Sequence, residues 1–200
     1  MTASQRRLVH AGVVAGALVP LVGLAVAAAR DALGANPVEA ITHETGEWAL
    51  RLLLASLAVT PLRRGLGLPA LAPYRRTFGL LAFLYATLHF STYLVLDLGL
   101  DLGSLAEDVL ERPYVTAGFT AWCLLLPLAW TSTRRWQRKL GRRWVLLHRA
   151  VYAAGACAVI HFLWLVKADL REPLIYAALL AALLAARWLP AWPRREAPGA

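Results

Sequence analysis

Six apolar runs, most of them near the length a lipid bilayer demands, occur along this chain and leave few other folds open to it. They lie near residues 8–29, 48–62, 77–96, 114–130, 146–166 and 174–189. A helix needs about 20 such residues to cross a hydrocarbon core roughly 30 Å thick, and the second and fourth runs, of 15 and 17 residues, are short. Of the 200 residues 59% are hydrophobic, more apolar surface than one soluble core of this size can hide. Breakers fall at the joints: Gly34 and Pro37, Pro61, Pro69 and Pro73, Pro113, Pro173, Pro190 and Pro193. No internal repeat is evident. The expectation is one domain over residues 1–200, an all-α integral membrane protein with six transmembrane helices in a bundle.

Charge orients that bundle. Arg6 and Arg7 precede the first run, RRGLGLPALAPYRR carries four arginines and TSTRRWQRKLGRRW six basic residues, and neither loop contains an acid. The alternate loops, including GANPVEAITHETGE and DLGLDLGSLAEDVLERP, hold every carboxylate except Glu196. Positive residues stay on the cytoplasmic side, so both termini are expected there. A net charge of +9 could also suit nucleic acid, but no polar segment is long enough to present a basic face, so the charge is read as facing lipid headgroups. The first run ends in AVAAAR, which resembles a signal-peptide cleavage site. At about 22 residues it is longer than a signal core and reads as a span. Cys123 and Cys157 show no CxxC or zinc spacing and read as packing residues.

Histidines inside apolar runs call for explanation. Helix five is expected to enter from the cytoplasm, placing His148 near the inner interface and His161 about 20 Å further out. Helix three also runs outward and brings His89 about 18 Å from its start, so His89 and His161 reach similar depth. An imidazole there costs several kcal/mol without a partner and marks a functional hypothesis. A structural metal would want about four donors, and a proton relay would usually recruit Asp or Glu, which the interior lacks. Haem iron needs two axial ligands on facing helices and a large apolar slot, which this chain supplies. Without CxxCH, such a haem would be b-type and non-covalent. The plain alternative is that each histidine bonds a backbone carbonyl or a neighbouring hydroxyl.

The segments GANPVEAITHETGEWALRLLLASLAVTPLRR, RRTFGLLAFLYATLHFSTY, ERPYVTAGFTAW, RRWQRKLGRRWVLLHRAVY and IHFLWLVK, in that order, resemble the MsrQ (YedZ) family, related to the ferric reductase transmembrane domains. The resemblance implies a haem b subunit of the bacterial inner membrane. It would pass electrons from the quinone pool or a cytosolic flavin reductase, with FMN as a further cofactor, to an MsrP-like periplasmic molybdopterin enzyme that repairs methionine sulfoxide. The chain has no GxGxxG with a βαβ pattern and no P-loop, so donor and acceptor chemistry are expected in partners. A b-type cytochrome serving ferric iron, a transporter and a non-redox anchor subunit are the alternatives.

The relatives with two stacked haems carry two histidines on helix three, whereas this chain has only His89 there. The expectation is one haem on His89 and His161, with a second at His148 as an option and His10 as a conceivable opposite ligand. Bis-histidine ligation would leave no open iron position, and Ser91, Thr92 or backbone carbonyls would accept from the free ring nitrogens. Arg51 is a candidate partner for an outer haem propionate, with snorkelling to headgroups as the alternative. Arg75, Arg76 and Arg149 are inner-face candidates for a propionate or a flavin phosphate, or simple anchors. His43 is read as an outer-loop residue. Tyr85, Trp122, Tyr152 and Trp164 are candidate pocket aromatics, or belt residues. The acidic outer loops would suit a basic patch on the acceptor.

Overall fold

The computed structural model describes residues 2–187, and every regular element among them is helical. In chain order these are α1 (Ala3–Ala29), α2 (Pro37–Gly65), α3 (Tyr74–Thr92), α4 (Leu102–Glu111), α5 (Pro113–Trp130), α6 (Arg134–Leu140), α7 (Arg142–His148), α8 (Ala150–Leu165) and α9 (Arg171–Ala185). A 3-10 turn over Pro69–Leu71 precedes α3, and a π-helical turn over Tyr93–Asp97 follows it.

Four described stretches are long and apolar enough to cross a membrane: Ser4–Ala29, Pro69–Asp97, Pro113–Trp130 and Arg142–Leu165. α2 has 29 residues, but it carries Glu39, Glu44 and Glu47 in its first half, Arg51 at its middle and Arg63 and Arg64 in its last turn. α9 has 15 residues to Ala185, and residues 188 and 189 of the expected last run lie outside the described part. Outward-facing side chains are apolar all round the perimeter: Val19 is 64% exposed, Trp130 70% and Ile175 58%. Such a surface suits a lipid solvent, where backbone polarity is satisfied within each helix.

Several expected boundaries move. α2 starts at Pro37 rather than near Trp48, because Pro37 occupies the first helical position and the Asn36 side chain accepts from the Glu39 amide. His43 therefore sits in a helix, not a loop. Pro61 lies inside α2 instead of ending it, and Pro20 and Pro127 are interior to α1 and α5, as membrane helices tolerate. The fifth run is interrupted at Arg149, between α7 and α8. α4 replaces an expected acidic loop. Its N-cap is Asp101, whose carboxylate accepts from the Ser104 hydroxyl and from the Ser104 and Gly103 amides. Those bonds hold the carboxyl below its usual range, so the cap contributes at neutral pH and is lost only as pH falls through that lowered value.

α3 lies along α2 and α8 along α5; the two pairs join where α3 meets α5 and where α8 meets α2. Leu53, Leu57, Ala82, Tyr85 and Ala154 fill the seam and are buried. α1 covers α2 and α3 from outside, and α9 covers α8 and α2. Polar ties pin these covers. The Tyr85 hydroxyl donates to the Ala17 carbonyl at 2.7 Å, fastening α1. Arg187, just beyond α9, donates to the Tyr152 hydroxyl and the Leu57 carbonyl, each at 2.8 Å. Tyr85→Phe keeps the packing and removes one interhelical bond, so it is expected to cost about 1 kcal/mol. A lowered thermal midpoint in detergent would register the loss, and an unchanged midpoint would mean that bond carries no net stability.

Candidate functional site

Between the two helix pairs lies a cavity of about 390 Å³. His89 enters it from α3 and His161 from α8; their ring centroids are 6.0 Å apart and the rings cross at 76°. Each ring is held by a main-chain carbonyl on the helix paired with its own. Nδ1 of His89 lies 2.9 Å from the Thr42 oxygen of α2, and Nδ1 of His161 lies 2.7 Å from the Tyr114 oxygen of α5. A carbonyl only accepts, so Nδ1 carries the hydrogen in both rings, and each neutral Nε2 keeps a lone pair. Neither ring makes another hydrogen bond among the described residues. Of the acceptors considered beforehand, the carbonyls are the ones used: the Thr92 hydroxyl instead donates to Leu88 of its own helix.

One sequence separation, 47 residues, joins each ring to its carbonyl. The offset that carries Thr42 to Tyr114 also carries Gly46 to Gly118, Ala49 to Ala121, Leu53 to Leu125, Ala86 to Ala158, His89 to His161 and Phe90 to Phe162, and all of these line the cavity. An internal repeat is thus present where none was expected, with α2 and α3 as one half and α5 to α8 as the other. The halves differ at the cavity's edge. His43, Glu47 and Tyr93 of the first half stand where the second half has Val115, Phe119 and Leu165. With Asn36, Glu39 and Asp97 they make one side of the mouth polar. Tyr93 donates to the Asp108 carboxylate, which also pairs with Arg112 at 3.0 Å, tying the π-helical turn after α3 to α4.

The other nominated residues stand apart. Arg51 does not line the cavity: its guanidinium pairs with Glu47, donates to the Tyr176 hydroxyl at 3.0 Å and lies over the Trp48 ring, joining α2 to α9. Of the four nominated aromatics, Trp122 lines the wall, stacked on Phe90 at 4.7 Å, whereas Tyr85 and Tyr152 serve the interhelical ties and Trp164 is exposed. His10 is exposed and stacks on Tyr74 at 5.9 Å.

His148 belongs to a second cavity, of about 230 Å³, with Arg75, Arg76, Ser132, Gln137 and Trp144. Its Nδ1 lies 3.1 Å from the Trp144 carbonyl and its ring stacks on Trp144 at 3.8 Å. The buried Nε2 has no hydrogen-bond partner among the described residues. Among the described residues no second histidine lines this cavity, and the repeat places Arg76 opposite His148. Leu53 and Leu125 line both cavities, so one layer of leucine separates them.

Sequence reasoning named backbone carbonyls as acceptors but not which ones: it missed Thr42 and Tyr114, whose oxygens accept from the two rings, and the glycine one turn after each. The signal that could have found them is the constant offset between the two histidine-bearing halves.

Comparison with known proteins agrees with this architecture. Residues 45–160 match the family described as ferric reductase like transmembrane component. Among curated relatives, a protein of Xanthomonas axonopodis pv. citri (strain 306) is 55% identical over 154 residues, 77% of this chain and 71% of its own. One of Xanthomonas oryzae pv. oryzae (strain MAFF 311018) is 53% identical over 84% of this chain and 75% of its own. One of Bordetella parapertussis (strain 12822 / ATCC BAA-587 / NCTC 13253) is 52% identical over 84% and 83%. All three carry the name protein-methionine-sulfoxide reductase heme-binding subunit MsrQ. No solved structure matches. A helical membrane protein built around paired intramembrane histidines, matched over most of its length by these relatives, belongs to the MsrQ family of ferric reductase-like transmembrane proteins.

Proposed function

We propose that this chain is the b-type cytochrome subunit of a methionine-sulfoxide reductase system, a single domain of six spans in the bacterial inner membrane with both termini in the cytoplasm. One haem is held by His89 and His161. The observation that carries this reading is the pair of imidazoles whose Nδ1 atoms are already committed and whose Nε2 lone pairs remain free across a 6.0 Å centroid separation. That gap would let both Nε2 atoms bind one iron between them. The apolar wall of Leu53, Leu125, Ala86 and Ala158 suits the macrocycle. When bound, the haem supplies reversible one-electron chemistry at the iron.

The protein's own residues do the rest. His89 and His161 would hold the iron between two imidazoles, a ligand set that favours electron transfer over oxygen activation. Among the described residues no Arg or Lys lines the cavity, so Asn36 and His43 are the nitrogen groups available to acid groups at its mouth. The inner cavity, with His148 and two arginines, supports an electron donor on the cytoplasmic side: the quinone pool or a cytosolic flavin reductase, with FMN as a further cofactor. Its single imidazole favours one haem over two. The acidic rim formed by Glu39, Glu47 and Asp97 favours docking of a basic surface on a periplasmic molybdopterin reductase of the MsrP type, and that contact would weaken as salt rises.

The reduced-minus-oxidised spectrum of the purified protein tests the haem assignment. His89→Ala and His161→Ala are expected to abolish the b-type absorbance, and His148→Ala to retain it with haem per chain unchanged. A colourless wild-type protein expressed with ample haem would refute the redox reading, and loss of half the haem in His148→Ala would restore a second one. Topology has its own test in cells lacking Cys123 and Cys157. A cysteine at Glu107 should react with an impermeant maleimide from the periplasm and one at Gln137 only after permeabilisation; the reverse pattern would invert the orientation.

A further inference from the structure

Gly46 and Gly118 differ from the glycines of α1. A Cβ built on Gly12, Gly16 or Gly23 meets nothing within 4 Å. One built on Gly46 would stand 2.9 Å from Nδ1 of His89, and one on Gly118 would stand 2.7 Å from Nδ1 of His161. Both are closer than a carbon and a nitrogen can pack, so α2 and α5 reach the imidazole edges only because these positions carry no side chain. The carbonyl that holds each ring lies one helical turn earlier on the same helix, Thr42 before Gly46 and Tyr114 before Gly118. Each ring is therefore fixed twice. A hydrogen bond sets the direction of Nδ1, and a bare stretch of backbone sets the tilt. The two repeat halves apply the same clamp to rings that cross at 76°.

We infer that Thr42 with Gly46 and Tyr114 with Gly118 are positioning pairs that hold His89 and His161 in crossed planes, so that the iron they share is ligated by near-perpendicular imidazoles. The inference rests on the haem reading given above. Parallel imidazoles direct both π systems at the same metal d orbital and split it from its partner. Crossed imidazoles direct one at each, which leaves the two orbitals close in energy. Partners of the ligands are a recognised control on the electronic properties of a metal site. Here the clamp is main chain, which keeps the angle from relaxing when the oxidation state changes and lowers the reorganisation an electron transfer requires.

Low-temperature EPR of the oxidised holoprotein reads the angle directly. The wild type is expected to give the highly anisotropic low-spin ferric signal of crossed axial imidazoles. Gly46→Ala and Gly118→Ala should each convert it to a rhombic signal with a shifted midpoint potential, or lose haem outright. Gly12→Ala and Gly16→Ala, where the added methyl is unopposed, should leave the signal, the potential and the haem content as they are. A rhombic wild-type signal overturns the inference without needing any variant to fold, and so does a wild-type signal and potential in both clamp variants. Full haem retention in His89→Ala and His161→Ala is a different failure, and it would remove the underlying assignment instead.

Discussion

An imidazole at bilayer depth needs a partner for each of its nitrogens, because hydrocarbon supplies none and an unanswered polar group costs several kcal/mol there. In this protein the first half of that requirement is met by main chain. Carbonyls of Thr42 and Tyr114 accept from Nδ1 of His89 and His161, and both belong to helices whose own hydrogen bonding continues around them. A carbonyl has two lone pairs, so it can serve its helix and the ring together. The second half of the requirement is left open on both rings, facing one cavity. The rest of the architecture follows from keeping those two open nitrogens opposite each other: α3 must lie against α2 closely enough to reach Thr42, and α8 against α5 closely enough to reach Tyr114. Gly46 and Gly118 make that approach possible.

The repeated half explains why the arrangement is balanced. Two helix pairs of the same design, joined where α3 meets α5 and α8 meets α2, place equivalent atoms on either side of the cavity without further adjustment. Departures from the repeat then carry meaning. Where the first half has His43, Glu47 and Tyr93, the second has Val115, Phe119 and Leu165, so the cavity is polar on one side of its mouth only. At the second cavity the repeat pairs His148 with Arg76. A guanidinium is permanently charged and has no lone pair to offer a metal, so among the described residues this cavity presents one imidazole and no facing partner for it.

Much of this was legible in the sequence, and the parts that were not share a cause. The apolar runs, the helical class and the matched depth of His89 and His161 follow from hydropathy and residue counting, which report on the solvent around a helix. The start of α2 was hidden because residues 37–47 are acidic and polar, although Asn36 and Pro37 are a standard opening. α4 was hidden in the same way: Asp101 caps it and Asp108 is buried by Tyr93 and Arg112, contacts that only the fold supplies. Proline at positions 20, 61 and 127 reads as a breaker in water, yet each is interior to a helix here. Arg51 looked free to reach the cavity because nothing in the chain's order announces Tyr176 beside it.

The repeat itself shows where sequence reading loses its grip. Its halves agree at Gly46 and Gly118, at Ala82 and Ala154, at the leucines beneath the cavity and at the histidines, which are the positions where two backbones or a ring and a backbone must come close. Elsewhere the halves have only to be apolar, and lipid-facing positions accept almost any aliphatic or aromatic side chain. Identity therefore survives only as single residues and short pieces, such as Leu52–Leu54 with Leu124–Leu126 and His89–Phe90 with His161–Phe162, too sparse to notice until the geometry shows which of them touch. The same sparseness makes the shared residues informative once the structure is known. A glycine whose added Cβ would meet nothing within 4 Å, such as Gly12 or Gly16, has no counterpart to match, whereas the glycine that faces a ring recurs at the one offset that keeps both rings in register.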